Sequence, residues 1–167
     1  MVGPVLGHAA AYSEYLRRLF LDNDLAEGRY AVDGKPISLR DIHVPLFVVS
    51  TVTDHVAPWR SVYKIQMLTD AEVTFVLSSG GHDAGIVNPP SHPHSGHQIA
   101  AHKEAETYID PDAWQASATH HERSWWPCWL EWLERHSSEK VVSPAMGAAA
   151  KSYAPLCAAP GSYVVEP

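Results

Sequence analysis

The sequence predicts an α/β fold built around a buried parallel sheet, and three observations carry that prediction. Residues 44–50 read Val-Pro-Leu-Phe-Val-Val-Ser, and residues 72–77 read Glu-Val-Thr-Phe-Val-Leu. Both are short apolar runs rich in β-branched residues, the pattern of a strand covered on both faces. Between them Pro58 opens a helix running roughly from Trp59 to Leu68, a first-turn position where proline is well tolerated. Strand, loop, helix and strand within about thirty residues make a βαβ unit.

The remaining elements follow in chain order. From His8 to about Leu25, Tyr12, Tyr15, Leu16, Leu19, Phe20 and Asn23 recur at helical spacing, with Glu14, Arg17 and Arg18 opposite. Asp33-Gly34 marks a tight turn, so 28–35 reads as a small hairpin. Pro45 fits only at the start of its strand. Residues 83–124 carry Pro89, Pro90 and Pro93 and read as irregular, apart from a short helix capped by Asp110 with Pro111 in its first turn. Trp125 to about His136 forms the strongest later helix, with Trp125, Trp126, Trp129, Leu130, Trp132 and Leu133 on a wide apolar face. Past Ser137 the composition turns to Ala, Pro, Ser and Gly and reads as an extended tail.

Composition narrows the function classes. A chain of 167 residues supplies one domain's worth of core. A net charge of −7 with no run of Lys or Arg argues against a nucleic-acid surface. No segment approaches the ~20 apolar residues of a membrane span. The start, Met1-Val2-Gly3-Pro4-Val5-Leu6, is not expected to be a signal peptide. Cys128 and Cys157 stand in unrelated contexts, so a reduced, cytoplasmic protein is expected.

Asp54 and His82 are the candidate catalytic residues. Each lies just past a predicted strand, and open α/β sheets gather their chemistry outside the carboxyl ends of the strands. If the strands are neighbours, Asp54 holds one imidazole nitrogen of His82 and the other serves as a base. Gly80, Gly81 and Gly85 allow the histidine loop a sharp turn. In the competing reading, Asp54 merely caps the Pro58 helix and His82 is a turn histidine.

The longer motifs favour the catalytic reading. Asp54-His55-Val56-Ala57-Pro58-Trp59-Arg60-Ser61-Val62-Tyr63 and Gly81-His82-Asp83-Ala84-Gly85-Ile86-Val87-Asn88-Pro89-Pro90 resemble the poly(3-hydroxyalkanoate) synthase family. So do Asp110-Pro111-Asp112-Ala113-Trp114, Ser124-Trp125-Trp126-Pro127, the closing Ala159-Pro160-Gly161-Ser162-Tyr163-Val164, and the opening stretch from Tyr15-Leu16-Arg17 to Asp22-Asn23-Asp24-Leu25. The resemblance implies the C-terminal portion of an α/β-hydrolase fold: an incomplete parallel sheet with flanking helices and a loop-rich tail. It implies three segments: 1–40 as a remnant of a cap region, 41–137 as core carrying the Asp and His motifs, and 138–167 as tail. It also implies an acyltransferase that polymerises 3-hydroxyacyl-CoA through a Cys-His-Asp triad, needs no cofactor and works in the cytoplasm or at polymer granules. His82 is then the base toward the cysteine, and Asp54 orients His82 or helps activate the incoming 3-hydroxyl.

This chain departs from that pattern at the nucleophile. The family's Gly-x-Cys-x-Gly elbow is absent, and neither Cys128 in Trp-Pro-Cys-Trp-Leu nor Cys157 in Pro-Leu-Cys-Ala-Ala is flanked by glycines. The chain alone is therefore expected to be inactive. It is expected to partner a missing N-terminal portion or a second copy; the alternative is a non-catalytic dimerisation or docking module. Asp83, beside His82, is expected to point to solvent. His92, His94, His97, His102, His120 and His121 are expected to be exposed loop residues, with no metal site. The Trp-rich helix is expected to pack on the sheet in preference to anchoring at a membrane or granule surface.

Overall fold

The computed structural model describes residues 5–103, 106–161 and 164. Met1 to Pro4 of the leader reading, residues 104 and 105, and Ser162 and Tyr163 of the closing motif lie outside the described residues. The chain forms two compact units, Met1–Arg135 and His136–Pro167.

The first unit begins with helix α1 (Val5–Glu14), which continues as a π-helical stretch over Tyr15–Leu21. The helix expected to reach Leu25 therefore stops earlier. Asn23 takes a left-handed conformation, and Asp24 then binds Arg18 at 2.7 Å and Arg29 at 3.1 Å. Tyr12, Tyr15, Phe20 and Leu21 are exposed, so the expected apolar stripe does not enter the core. Strands β1 (Ala31–Val32) and β2 (Lys35–Pro36) form the expected hairpin, with positive φ at both Asp33 and Gly34 as a primed turn requires.

The main sheet contains β3 (Leu46–Thr51), β4 (Val73–Ser78), β5 (Gly96–His102) and β6 (Thr119–Glu122), in that spatial order. β3 and β4 are parallel, but β5 runs antiparallel to β4 and β6 antiparallel to β5. The α/β class holds, while the expected all-parallel sheet is corrected to a mixed one. The physical reason is the connection: 79–95 contains no crossover helix, and a parallel neighbour needs one. Two strands thus lie inside the stretch read as irregular.

Every residue of β4 is buried, as a central strand requires. β3 is half-buried over its first four residues, because it lies at the edge of the sheet. Phe75 anchors the core. Its ring meets Tyr63 and Trp114 edge-on, each at 5.1 Å, and Trp59, Val73 and Leu77 complete the cluster. The helix read over 59–68 is two short ones, α2 (Trp59–Val62) and α3 (Ile65–Leu68), and α2 delivers Trp59 and the following Tyr63 to Phe75. Helix α4 (Pro111–Ser117) brings Trp114; Asp110 caps it by accepting N–H bonds from Asp112 and Ala113, both at 3.0 Å.

Helix α5 (Trp126–Arg135) covers the other face of the sheet, where Phe47 meets Trp125 at 6.2 Å and Trp132 at 5.6 Å. The expectation that the Trp-rich helix packs on the sheet holds for that side alone, since Trp129 and Leu130 are exposed. The second unit holds a 3₁₀ turn, Ala149–Lys151, closed by a bridge between Ala148 and Tyr153.

Phe75 makes both edge-on contacts at full burial. Phe75→Ala is therefore expected to cost ~3–5 kcal/mol of stability, measured by urea denaturation.

Candidate functional site

The pairing of β3 with β4 continues past the strands. Val52 N–H donates to Ser78 O at 3.0 Å, and Thr53 donates to Gly80 O through both its N–H (3.1 Å) and its hydroxyl (2.8 Å). This zipper carries Asp54 and His82 to the same end of the sheet. His82 Nδ1 lies 2.9 Å from Asp54 Oδ2. An ionised carboxylate only accepts, so Nδ1 bears the proton and Nε2 is left as the basic nitrogen.

Asp54 has a second contact. Its Oδ1 accepts the backbone N–H groups of Val56 at 2.8 Å and Ala57 at 2.9 Å. The Asp54 side chain is only 9% exposed, against 50% for His82, so the carboxylate is the anchored partner. The Ala57 N–H and the His82 hydrogen bond together lower the Asp54 pKa to about 2. The hydrogen bond and charge of Asp54 raise His82 above its ordinary value. Asp83 also contributes: its carboxylate reaches within 4.0 Å of Nε2, while its side chain is 91% exposed, as expected.

The loop that carries His82 is held on two sides. Gly85 is buried against β3, and a Cβ there would collide with Thr51 Cγ2 and approach Ser79 O to 2.8 Å. On the opposite side the indole N–H of Trp125 donates to Gly85 O at 3.1 Å, and that of Trp126 to Ile86 O at 3.0 Å. Ser124 adds a hydroxyl bond to Asn88 O. Sequence reasoning assigned these tryptophans to packing alone; their role as donors to the histidine loop was not foreseen. The adjacency of Ser124-Trp125-Trp126 was the available signal, because buried indoles need acceptors.

The arrangement is an oriented imidazole base at the end of a sheet. Comparison with known proteins finds relatives of the stretch that carries it. The chain is 36% identical over 156 residues to a poly(3-hydroxyalkanoate) polymerase subunit of Rhizobium meliloti, covering 93% of this chain and 24% of that protein. It is 38% identical over 157 residues to the polymerase of Methylorubrum extorquens (93% and 25%) and 36% identical over 154 residues to the subunit of Cupriavidus necator (92% and 25%). Over more than nine tenths of its own length the chain is thus similar to one part of poly(3-hydroxyalkanoate) polymerases. It spans about a quarter of the length of these relatives. No protein-family model matches it.

Cys157 is exposed in the second unit. Cys128, half-buried on α5, has its Sγ 3.5 Å from His97 Nε2, while His97 Nδ1 donates to Arg123 O at 3.0 Å. Burial pushes the Cys128 thiol up and the His97 imidazole down, so both are neutral near pH 7. That corrects the reading of His97 as a loop residue: it is 3% exposed in β5 and stacks on His121 of β6. His102, in β5 as well, is partly buried, and His120 lies in β6. These residues sit in strands because the chain pairs there with no apolar alternation to announce it. Among the described residues no three His, Cys, Asp or Glu side chains gather to hold a metal, and no helix is long and apolar enough to cross a membrane.

Two outcomes are expected. In an NMR titration His82 should titrate above 6.5 and fall when Asp54 is replaced by Asn. The depressed Asp54 pKa stabilises the fold above the ordinary carboxylate value of 3.8, an effect lost as pH falls toward about 2. The raised His82 pKa stabilises it fully below 6.5, an effect lost as pH rises through the raised value. Separately, Trp125→Phe leaves the buried Gly85 carbonyl without its donor and should cost ~1–3 kcal/mol in chemical denaturation.

Proposed function

We propose that this chain is the C-terminal part of the catalytic domain of a poly(3-hydroxyalkanoate) synthase, with an α/β-hydrolase fold, and that it supplies the Asp and His of a Cys-His-Asp triad. The single observation that carries the reading is the 2.9 Å contact between His82 Nδ1 and Asp54 Oδ2 at the ends of adjacent parallel strands. The substrate is a 3-hydroxyacyl-CoA, and the cysteine comes from polypeptide outside these 167 residues. Residues 1–40 form the lead-in from the cap region, 41–137 the catalytic portion and 138–167 the tail.

In the reaction, His82 Nε2 takes the proton of the cysteine thiol, and the thiolate attacks the thioester carbonyl. The acyl–sulfur bond to coenzyme A breaks, and the acyl group is held on the cysteine. The departing CoA sulfur takes the proton from the His82 imidazolium and leaves as the free thiol, with His82 neutral again. Asp54 keeps the imidazole in the required tautomer and stabilises the imidazolium. A thiol nucleophile suits a thioester because attacking and leaving groups are matched. In the next half-reaction His82, or Asp54, helps remove the proton of the incoming 3-hydroxyl. The work takes place in the cytoplasm, at the surface of the polymer granule.

A second reading, a docking or dimerisation module, draws support from β3. It is half-buried and lies at the edge of the sheet, with backbone groups on one side available for pairing.

The test is release of free thiol from 3-hydroxybutyryl-CoA. The 167-residue chain alone should not turn over, and addition of a separately produced N-terminal portion of a relative should restore release. His82→Ala should lower the restored rate by ~10²–10⁴-fold. The rate should rise with pH through a value above 6.5, because only neutral His82 accepts the proton. Turnover by the chain alone, or a restored rate indifferent to His82, would overturn the proposal.

A further inference from the structure

The outward side of α5 and the turn after the histidine loop enclose a groove of about 340 Å³, walled by Pro90, Trp126, Pro127, Trp129, Leu130 and Leu133. That volume lies at the lower end of the ~300–1,000 Å³ usual for ligand sites. We propose that this groove binds a segment of aliphatic polyester, a chain of 3-hydroxyacyl units joined by esters. The proposal rests on the reading of this chain as part of a polyester synthase.

The wall chemistry selects among ligands. Every wall residue is apolar, and the indole N–H of Trp126 is already given to Ile86 O. The phosphates and nucleotide of coenzyme A would find no donor. A peptide lying extended along the groove would bring N–H groups that need acceptors, and burying them unpaired is costly. A polyester carries no N–H or O–H along its length, only weakly accepting ester oxygens between aliphatic segments. It can therefore lie against Trp, Pro and Leu without leaving a buried donor unsatisfied.

Position supplies the second argument. Trp126 belongs to both structures: its ring walls the groove, and its nitrogen holds the loop that begins at His82. Ile86 and Val87, also exposed, continue an apolar surface from that loop. A chain growing on the cysteine that His82 serves thus meets the groove beside the loop that presents the base. The polar residues of α5 lie elsewhere on the helix, where Glu131 pairs with Arg135 at 3.4 Å. The exposure of Trp129 and Leu130, 42% and 57%, leaves the groove open to a ligand.

The experiment uses the full 167-residue chain and a 3-hydroxybutyrate trimer capped as its methyl ester. Indole N–H signals of Trp126 and Trp129 are followed by NMR during titration, with coenzyme A and a capped trileucine peptide as comparison ligands. Saturable shifts with the oligoester alone are expected. Leu130→Glu, an exposed position whose fold is checked by circular dichroism, should weaken binding by at least about tenfold by placing a charge in the groove. Trp129→Ser should do the same, and His82→Ala should bind unchanged. The idea is overturned by absent or non-saturating shifts, by equal response to the peptide, or by binding indifferent to Leu130→Glu. It is equally overturned if sedimentation shows a dimer that Leu130→Glu dissociates and the oligoester does not compete with. The oligoester has no thioester and needs no nucleophile. Lost complementation with binding intact therefore removes the catalytic reading alone, and the reverse removes the groove alone.

Discussion

The parallel register of β3 on β4, from Leu46 opposite Val73 to Thr51 opposite Ser78, is the constraint on which the rest of the first unit depends. A slip of one residue would turn Phe47 toward the side now occupied by Tyr63 and Trp114, and Val48 toward α5. It would also part Asp54 from His82, since both follow the strands by only a few residues. Thr53 fixes the register where the ladder ends by giving Gly80 O two donors. Packing on both faces and the Asp54–His82 contact at one end thus share a single alignment.

Two histidines show how environment separates similar side chains. His82 and His97 each use Nδ1 toward an oxygen acceptor, but the acceptor is a carboxylate for one and a peptide carbonyl for the other. His82 stays half-exposed beside a full negative charge, and its pKa rises. His97 is buried, and its pKa falls. The Cys128–His97 contact has the residue types of a nucleophile and base, yet burial keeps both groups neutral. Of these two histidines, the one against Asp54 is both oriented by a carboxylate and accessible.

Much of this was legible in the sequence for physical reasons that are easy to state. β3 and β4 announce themselves because strands that pack on two layers must be apolar nearly throughout, and the hairpin does so through Asp33-Gly34. Asp54 and His82 are legible because both follow such strands. β5 and β6 are not. Gly96-His-Gln-Ile-Ala-Ala-His lacks a run of large apolar residues, and Thr119-His-His-Glu is exposed throughout. Their pairing comes from the neighbouring strand's backbone, while His97 and Gln98 find backbone carbonyls as partners. The donor role of Trp125 and Trp126 is hidden for a related reason. Hydrophobic periodicity records where a ring is buried and carries nothing about where its N–H points.

The reading of Asp54 as the cap of the Pro58 helix does not hold, since that helix has Pro58 at its N-cap and no side-chain cap. The carboxylate instead divides its two oxygens between the turn before the helix and His82. Oδ1 is held by Val56 and Ala57, which leaves Oδ2 aimed at the imidazole. The consequence is entropic. A carboxylate free to rotate would have to give up that freedom each time the ring gained a proton and needed a fixed counter-charge. Here the loop has already removed the rotation, so protonation of His82 asks for almost no reorganisation of its partner.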